Sequence, residues 1–374
     1  MNNDSGVGTM NILFLRAGSF SNLNSYLYHT MCQAHNIVQN VDAGRTLNWR
    51  SLRLTPWRNM FHAILQSRTN WQQMHSKNTF SFSQMTKYCN QIVRSRTDYD
   101  LIFQTQCKFS ITENPYSHPY YIYTDLTQKL TDRLWKRWAL KGSSKETKAW
   151  LQMESEAYQR AEKIFTFSDS VKDSFINDYN IEADKIIVVG SGINSNQIAE
   201  VNLDQKDADG LTLFFLSTEF ERMGGHTVLK SYQLIKQQRL NIKLIIGGKT
   251  PNLSADGIEV YHYLTRDMIE KLYQRSTIFL MPGKLGGLQS VLEAMNKKCV
   301  CIVGDSNLLL TDVVKDNHTG FVVQTDNPFQ LAEKIIELYN HSSRVKRIAN
   351  QAYSFATANF TWDQIVQKMT LHFK

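Results

Sequence analysis

Pro282 to Asp305 reads PGKLGGLQSVLEAMNKKCVCIVGD, a tight glycine turn, then a helix with a single acidic residue, then an apolar strand. Gly286 and Gly287 can take backbone conformations closed to other residues. A helix beginning near Leu288 aims its first N–H groups and the positive end of its dipole at an anion. The segment therefore has the form of a phosphate-binding turn. Glu293 falls about a turn and a half inside that helix, roughly 7–8 Å further along its axis. That spacing separates a diphosphate from the ribose of the same nucleotide.

These residues resemble the GT-B glycosyltransferases of the family 4 type, whose signature here is E-G-F-G-x-x-x-L-E-A-M-A. The likeness is close from Leu292 onward. The resemblance implies that Glu293 accepts hydrogen bonds from the ribose hydroxyls. Lys284, Gly286, Gly287, Leu288, Gln289 and Ser290 then surround the donor diphosphate. The family's first glutamate, which contacts the transferred sugar, falls at Leu285 in this chain.

A second stretch, Phe215 to Lys230 (FLSTEFERMGGHTVLK), is similar to the family's strand followed by D-W-E-R-K-G-G and a helix. Arg222 matches the arginine that neutralises the diphosphate, and Gly224 lies in the same turn. The lysine that normally follows is Met223, so one charge-assisted contact of about 1.5–3 kcal/mol is missing. Lys284 or Arg266 is the candidate replacement. Tyr261 to Tyr263 fall at the end of the strand whose backbone reads the base in this family.

Weaker matches extend the likeness toward the N-terminus. Gly18 and Ser19 follow the first strand, where the family's first glycine-rich turn closes over the donor phosphate; a plain strand-to-helix turn reads equally well. YIYTDLTQ (Tyr121–Gln128) resembles a strand end that faces the cleft. Asp125 there either orients an acceptor hydroxyl or caps the next helix. EAYQRAEKIFTFSDSVKDSFINDYNIEADKIIVVGSGIN (Glu156–Asn194) is similar to the family's E-x-x-x-Y-x-x-A-D-x-I-F-x-x-S block and its V-V-G-x-G-x-N ending. Ser168 and Asn194 would border the cleft. Gly190 to Gly192 lack the third glycine of a dinucleotide fingerprint.

Length and composition agree with a two-domain α/β protein. The 374 residues exceed what one core usually serves, and 42% are apolar. No run of about 18 apolar residues offers a membrane span. The first ten residues are polar and read as a disordered leader rather than a signal peptide. The cysteines Cys32, Cys89, Cys107, Cys299 and Cys301 form no CxxC pair, as expected of a reduced cytoplasmic protein. The histidines show no ligand spacing and no DxD pair occurs, so no metal is expected.

Charge is uneven. Residues 43–97 contain no Asp or Glu but nine basic residues (Arg45, Arg50, Arg53, Arg58, Arg68, Lys77, Lys87, Arg94 and Arg96), one more than the net charge of +8. Trp49, Trp57, Phe61 and Trp71 lie among them. Residues 129–150 repeat the mixture with Arg133, Trp135, Lys136, Arg137, Trp138 and Lys141. Such surfaces suit the anionic inner face of a membrane, each basic residue contributing about 1 kcal/mol. A solvated basic face with inward tryptophans fits as well. No nucleic-acid motif accompanies the charge.

Alternating strands and helices predict two halves built on parallel sheets. Expected strands are 11–16, 101–104, 120–124, 163–167, 186–189, 211–216, 242–246, 278–281, 300–303 and 320–323. Expected helices include 149–163, 268–275 and 328–339, with 191–210 as linker. The expected division is a leader over 1–10, an acceptor-binding Rossmann-like domain over 11–200 and a nucleotide-sugar-binding one over 201–358. A helix over 359–374, introduced by Phe360-Thr361-Trp362-Asp363, would return to the first domain. The resemblance implies a GT-B fold with the two sheets facing across a cleft that closes to exclude water. It further implies transfer of a sugar from a UDP- or GDP-linked donor, with retention and without a cofactor, to a lipid-linked, glycan or small-molecule hydroxyl. Two alternatives stay open: a GT-B module that binds nucleotide or glycan without turnover, and an epimerase or phosphorylase on the same fold.

Overall fold

The structure is a computed structural model that describes residues 8–20, 22–46, 77–140, 142–195, 202, 203, 206, 210–251, 253 and 255–374. The leader over 1–7, the tryptophans Trp49, Trp57 and Trp71 with Phe61, and Arg50, Arg53, Arg58, Arg68, Lys141, Asp204, Asp207 and Asp209 lie outside the described residues.

Two compact units form, one of residues 1–190 with 362–374, the other of residues 191–361. These limits stand beside the expected divisions at 200/201 and 358/359. The Gly190 N–H donates to the Thr166 carbonyl at 3.2 Å, and the Gly190 carbonyl accepts from the Tyr123 hydroxyl at 2.8 Å, inside the first unit. Three residues on, the Ile193 N–H donates to the Phe360 carbonyl at 2.7 Å, inside the second.

The first unit contains β1 (Asn11–Arg16), α1 (Leu23–Ala34), β2 (Asn36–Asp42), α2 (Thr79–Ser95), β3 (Leu101–Thr105), β4 (Tyr120–Thr124), α3 (Gln128–Leu134), α4 (Ser144–Arg160), β5 (Lys163–Thr166), α5 (Asp169–Tyr179) and β6 (Ile186–Val188). Its six parallel strands run in the order β2-β1-β3-β4-β5-β6. The runs LIFQT of β3 and YYIYT of β4 are buried throughout, because helices cover both faces of a parallel sheet. Edge strand β2 (NIVQNVD) is half-exposed.

The second unit holds β7 (Leu211–Ser217), α6 (Gly225–Lys236), β8 (Ile242–Gly248), β9 (Ile258–Tyr261), α7 (Arg266–Arg275), β10 (Ile278–Met281), α8 (Leu288–Asn296), β11 (Val300–Gly304), β12 (Phe321–Val323), α9 (Pro328–Tyr339) and α10 (Ser342–Asn359). Its sheet is also six-stranded and parallel, in the order β12-β11-β10-β7-β8-β9. The last helix, α11 (Trp362–Thr370), belongs to the first unit and packs on α1. There Thr370 Oγ1 lies 2.8 Å from His35 Nε2, and the Phe373 ring sits among Phe103, Tyr121 and Phe165.

Both chains of strands reverse direction once. The first sheet turns back between β1 and β3, the second between β7 and β10. In open α/β sheets the crevice beyond the carboxyl ends of the strands at such a point is where ligands bind. Among the described residues no helix is long and apolar enough to cross a membrane.

Candidate functional site

At the reversal of the second sheet, the chain leaves β7 into Thr218–Gly224 and leaves β10 into Pro282–Gly287. Gly224 (φ +88°) lets these turns touch: a Cβ there would stand 2.8 Å from the Gly283 nitrogen and 2.9 Å from Pro282 Cγ. The Lys284 N–H donates to the Arg222 carbonyl at 3.1 Å, joining the two turns. Arg222 is buried, donates through Nη1 to the Leu285 carbonyl and lies 3.7 Å from Glu219. Burial pulls its pKa below the usual guanidinium value, while Glu219 supports the charge.

Gly286 (φ +92°) and Gly287 (φ +82°) are both left-handed. A Cβ on Gly286 would overlap Arg222 Nη1, so the glycine is what lets the guanidinium lie flat against the turn. The Asn307 side chain donates to the Gly286 carbonyl at 2.9 Å. The Leu285 and Gly286 carbonyls are met, and no side chain caps the first N–H groups of α8. Leu288 is buried, Gln289 binds the Ser191 hydroxyl, and Ser290 is half-buried on the same turn. Lys284 is exposed and pairs with Asp326 at 2.7 Å.

Glu293 is buried in α8, and removal from water raises its pKa to about 7, with Arg266 pulling it back and Glu270 adding to the rise. Arg266 Nη1 donates to Glu293 Oε1 at 2.8 Å. The same guanidinium donates to the Asn194 carbonyl and lies 3.6 Å from Glu270. Of the two cations considered as replacements for the missing lysine, only Arg266 is in contact with Glu293. Met223 and Leu285, which occupy the positions of the missing lysine and glutamate, are buried apolar residues.

The first unit carries a different polar centre. At the end of β1 the Gly18 N–H donates to Asp42 Oδ1 at 3.0 Å, and its carbonyl accepts from Asn24 at 2.7 Å and Arg16 at 3.0 Å. Ser19 is exposed beside it. Asp125 follows β4, and burial raises its carboxyl pKa against the opposing pull of Lys77 and Lys108. The cap of α3 is Thr127, not Asp125: its hydroxyl accepts the Leu130 N–H at 3.1 Å. Below lies Glu154, which accepts from the Gln128 N–H at 3.1 Å, the Tyr158 hydroxyl at 2.9 Å and the Tyr179 hydroxyl. Burial raises its pKa to about 7, with those donors pulling it back. Ser168 is buried and caps α5, accepting the Val171 N–H.

Residues 200–355 match the family model described as Glycosyl transferases group 1. The matched residues fall within the second unit. A capsular polysaccharide biosynthesis glycosyltransferase, CapM of Staphylococcus aureus, is 22% identical over 237 residues, 57% of this chain and 62% of its own length. The chain thus spans under two thirds of that relative. Among solved structures, a glycosyltransferase from Rickettsia africae superposes with a TM-score of 0.64 at 14% identity, covering 98% of each chain. Anabaena Alr3699/HepE in complex with UDP gives 0.64 at 14% identity, covering 97% of this chain and 99% of that one. These likenesses show the fold, that of the GT-B glycosyltransferases.

In the second unit, Arg222, Gly224, Lys284 and Gly286 to Ser290 gather at one reversal point, with Glu293 and Asn194 joined to each other through Arg266. Tyr263 is 91% exposed, two residues beyond the end of β9. Gly18, Ser19, Asp125 and Ser168 belong to the first unit. Sequence reading missed the Arg266–Glu293 pair, whose members are 27 positions apart, and the buried position of Glu154. The latter had a signal: Glu154 and Tyr158 fit the family's E-x-x-x-Y. Among the described residues no three His, Cys, Asp or Glu side chains gather to hold a metal ion.

Proposed function

We propose that this chain is a glycosyltransferase taking its sugar from a nucleoside diphosphate sugar bound at the β7–β10 reversal of the second unit. The observation that carries the reading is the buried Arg222 guanidinium laid against the Gly286 turn at the start of α8, with Glu293 a turn and a half further in. Arg222 and the α8 N–H groups receive the diphosphate, and Glu293 receives the ribose hydroxyls through the oxygen that Arg266 leaves available. UDP is the first nucleotide to test, since UDP occupies one structural neighbour.

The chemistry proposed is retention without a metal ion. The anomeric carbon–oxygen bond to the diphosphate breaks as the acceptor oxygen bonds on the same face, and the acceptor proton passes to the departing phosphate. The protein's part is placement and charge stabilisation by Arg222 and the helix dipole. Asp125 is the proposed partner of the acceptor hydroxyl. A glycan, lipid-linked or small-molecule acceptor fits. Exposed Lys136 and Arg137 beside half-buried Trp135 and Trp138 support a further proposal of contact with an anionic membrane face.

A second reading, nucleotide binding without turnover, is favoured by Leu285 and Met223. Calorimetric titration with UDP, GDP, ADP and their sugar conjugates tests donor binding, and product analysis with the best donor separates transfer from binding alone. Binding of one nucleotide, lost in Glu293→Ala, is the expected result; no binding by any of them would overturn the reading.

A further inference from the structure

The first sheet reverses between β1 and β3, and the loop after β3 carries Lys108. The loop after the neighbouring strand β4 carries Asp125, since Thr105 is in register with Tyr123. Lys77, just before α2, reaches the same place, donating to Gln128 Oε1 at 3.0 Å. Both ammonium groups are buried enough that desolvation disfavours their charge, and both are felt by Asp125.

The carboxylates around them are unequally available. Asp42 pairs with Arg16 at 2.9 Å, Asp132 accepts from Gln128 Nε2 at 2.6 Å, and Glu154 holds three donors of its own. Asp125, held by its own and the Leu126 backbone N–H, faces both ammonium groups, and Glu154 faces Lys77 as well, so each lysine shares its nearest carboxylate with other donors. Among the described residues neither lysine has an ion pair, and Lys108 donates no hydrogen bond. A desolvated ammonium without a counter-charge is costly, and a ligand anion arriving there removes that cost.

We propose that Lys77 and Lys108 form an anion subsite at the β1–β3 reversal, so that the acceptor is a hydroxyl compound bearing a phosphate or carboxylate, its charge held by the lysines and its hydroxyl by Asp125. The proposal rests on the glycosyltransferase reading for the word acceptor, while the subsite itself stands on the first unit alone. Lys108 sets specificity and takes no part in bond making.

The test is titration of the full chain with two matched pairs, glycerol 3-phosphate against glycerol and glucuronate against glucose, in wild type, Lys108→Met and Lys108→Arg, with UDP titrated into each as a control. Wild type is expected to bind the anionic member of at least one pair about tenfold or more tightly than its neutral partner. Lys108→Met abolishes the preference, Lys108→Arg keeps it, and UDP binding is unchanged. Preference for glycerol 3-phosphate alone assigns a phosphate source, and for glucuronate alone a carboxylate source. Equal affinity for charged and neutral probes in wild type, or an anion preference insensitive to Lys108→Met, overturns the subsite. Should Lys108→Met fail to fold, the wild-type comparison and Lys108→Arg still decide. Loss of UDP binding in wild type with the anion preference intact would sink the donor reading and leave this one standing.

Discussion

The two units build the same reversal of strand order and put a left-handed glycine at each, yet the two turns are wired in opposite ways. In the first, the Gly18 N–H is taken by Asp42 and its carbonyl by Asn24 and Arg16, so the turn is closed on itself. In the second, the side chains of Arg222 and Asn307 meet the turn's carbonyls, and no side chain caps the first N–H groups of α8. A glycine turn at a reversal point is therefore not by itself a phosphate site. What the second unit adds is a cation on the inner side and uncapped donors at the start of α8.

The largest expected effect comes from forcing the family's glutamate back into the second turn. Leu285 is fully buried, so Leu285→Glu places a carboxylate among apolar side chains and is expected to lower unfolding stability by about 3 kcal/mol or more. Urea melts check it. An unchanged midpoint would show that the site has room for the missing residue.

Next is the glycine comparison itself. Gly286→Ala displaces Arg222 and is expected to weaken nucleotide binding by about tenfold to a hundredfold, the worth of a charge-assisted contact. Gly18→Ala meets nothing within 4 Å, so it costs only the left-handed backbone, about 1–2 kcal/mol of stability, with nucleotide affinity unchanged. Equal loss of affinity in both variants would erase the distinction drawn here.

Each unit also buries one glutamate with a pKa raised to about 7, Glu154 among neutral donors and Glu293 beside Arg266. For both, the folded value lies above the unfolded one near 4.3, so the folded chain holds extra protons between them. Their contribution to stability is full below about pH 4.3 and is lost as pH rises through about 7. Glu293→Gln is expected to flatten that part of the pH profile by up to about 3 kcal/mol. Glu154→Gln, keeping the shape, should flatten the same pH window by its own share. Melting temperatures at pH 5 and pH 8 check both.

The smallest effect belongs to Lys284→Ala. The Lys284–Asp326 pair is half-exposed on both sides, so its removal is expected to change stability by at most about 1 kcal/mol. A large loss of nucleotide affinity in this variant would instead make Lys284, rather than Arg266, the replacement for the lysine missing at Met223.

Much of this was legible in the sequence because it is local. The buried runs of β3, β4, β10 and β11 announce themselves as short, mostly apolar stretches, and the start of α8 at Leu288 follows from the two glycines before it. Edge strand β2 was not read, since NIVQNVD mixes polar and apolar residues as a half-exposed strand does. Helix α2 carried a signal that charge counting obscured: Phe82, Met85, Cys89 and Val93 recur at helical spacing and are buried. The expected helix over 149–163 begins earlier, at Ser144, because Ser143 and Glu146 form a capping box. What no local pattern carries is pairing across the fold. Arg266 meets Glu293 only because α7 and α8 flank β10. Lys108 and Asp125 follow neighbouring strands β3 and β4, and Lys77 is tied to that end of the sheet through Gln128.

The measurement that bears most directly on the central claim is calorimetric titration of UDP, GDP and ADP into wild type, Gly286→Ala and Gly18→Ala. Binding of one nucleotide by wild type and Gly18→Ala, lost in Gly286→Ala, is the predicted result. No binding in wild type, or binding that Gly286→Ala retains, would contradict the assignment of the donor site to the second unit.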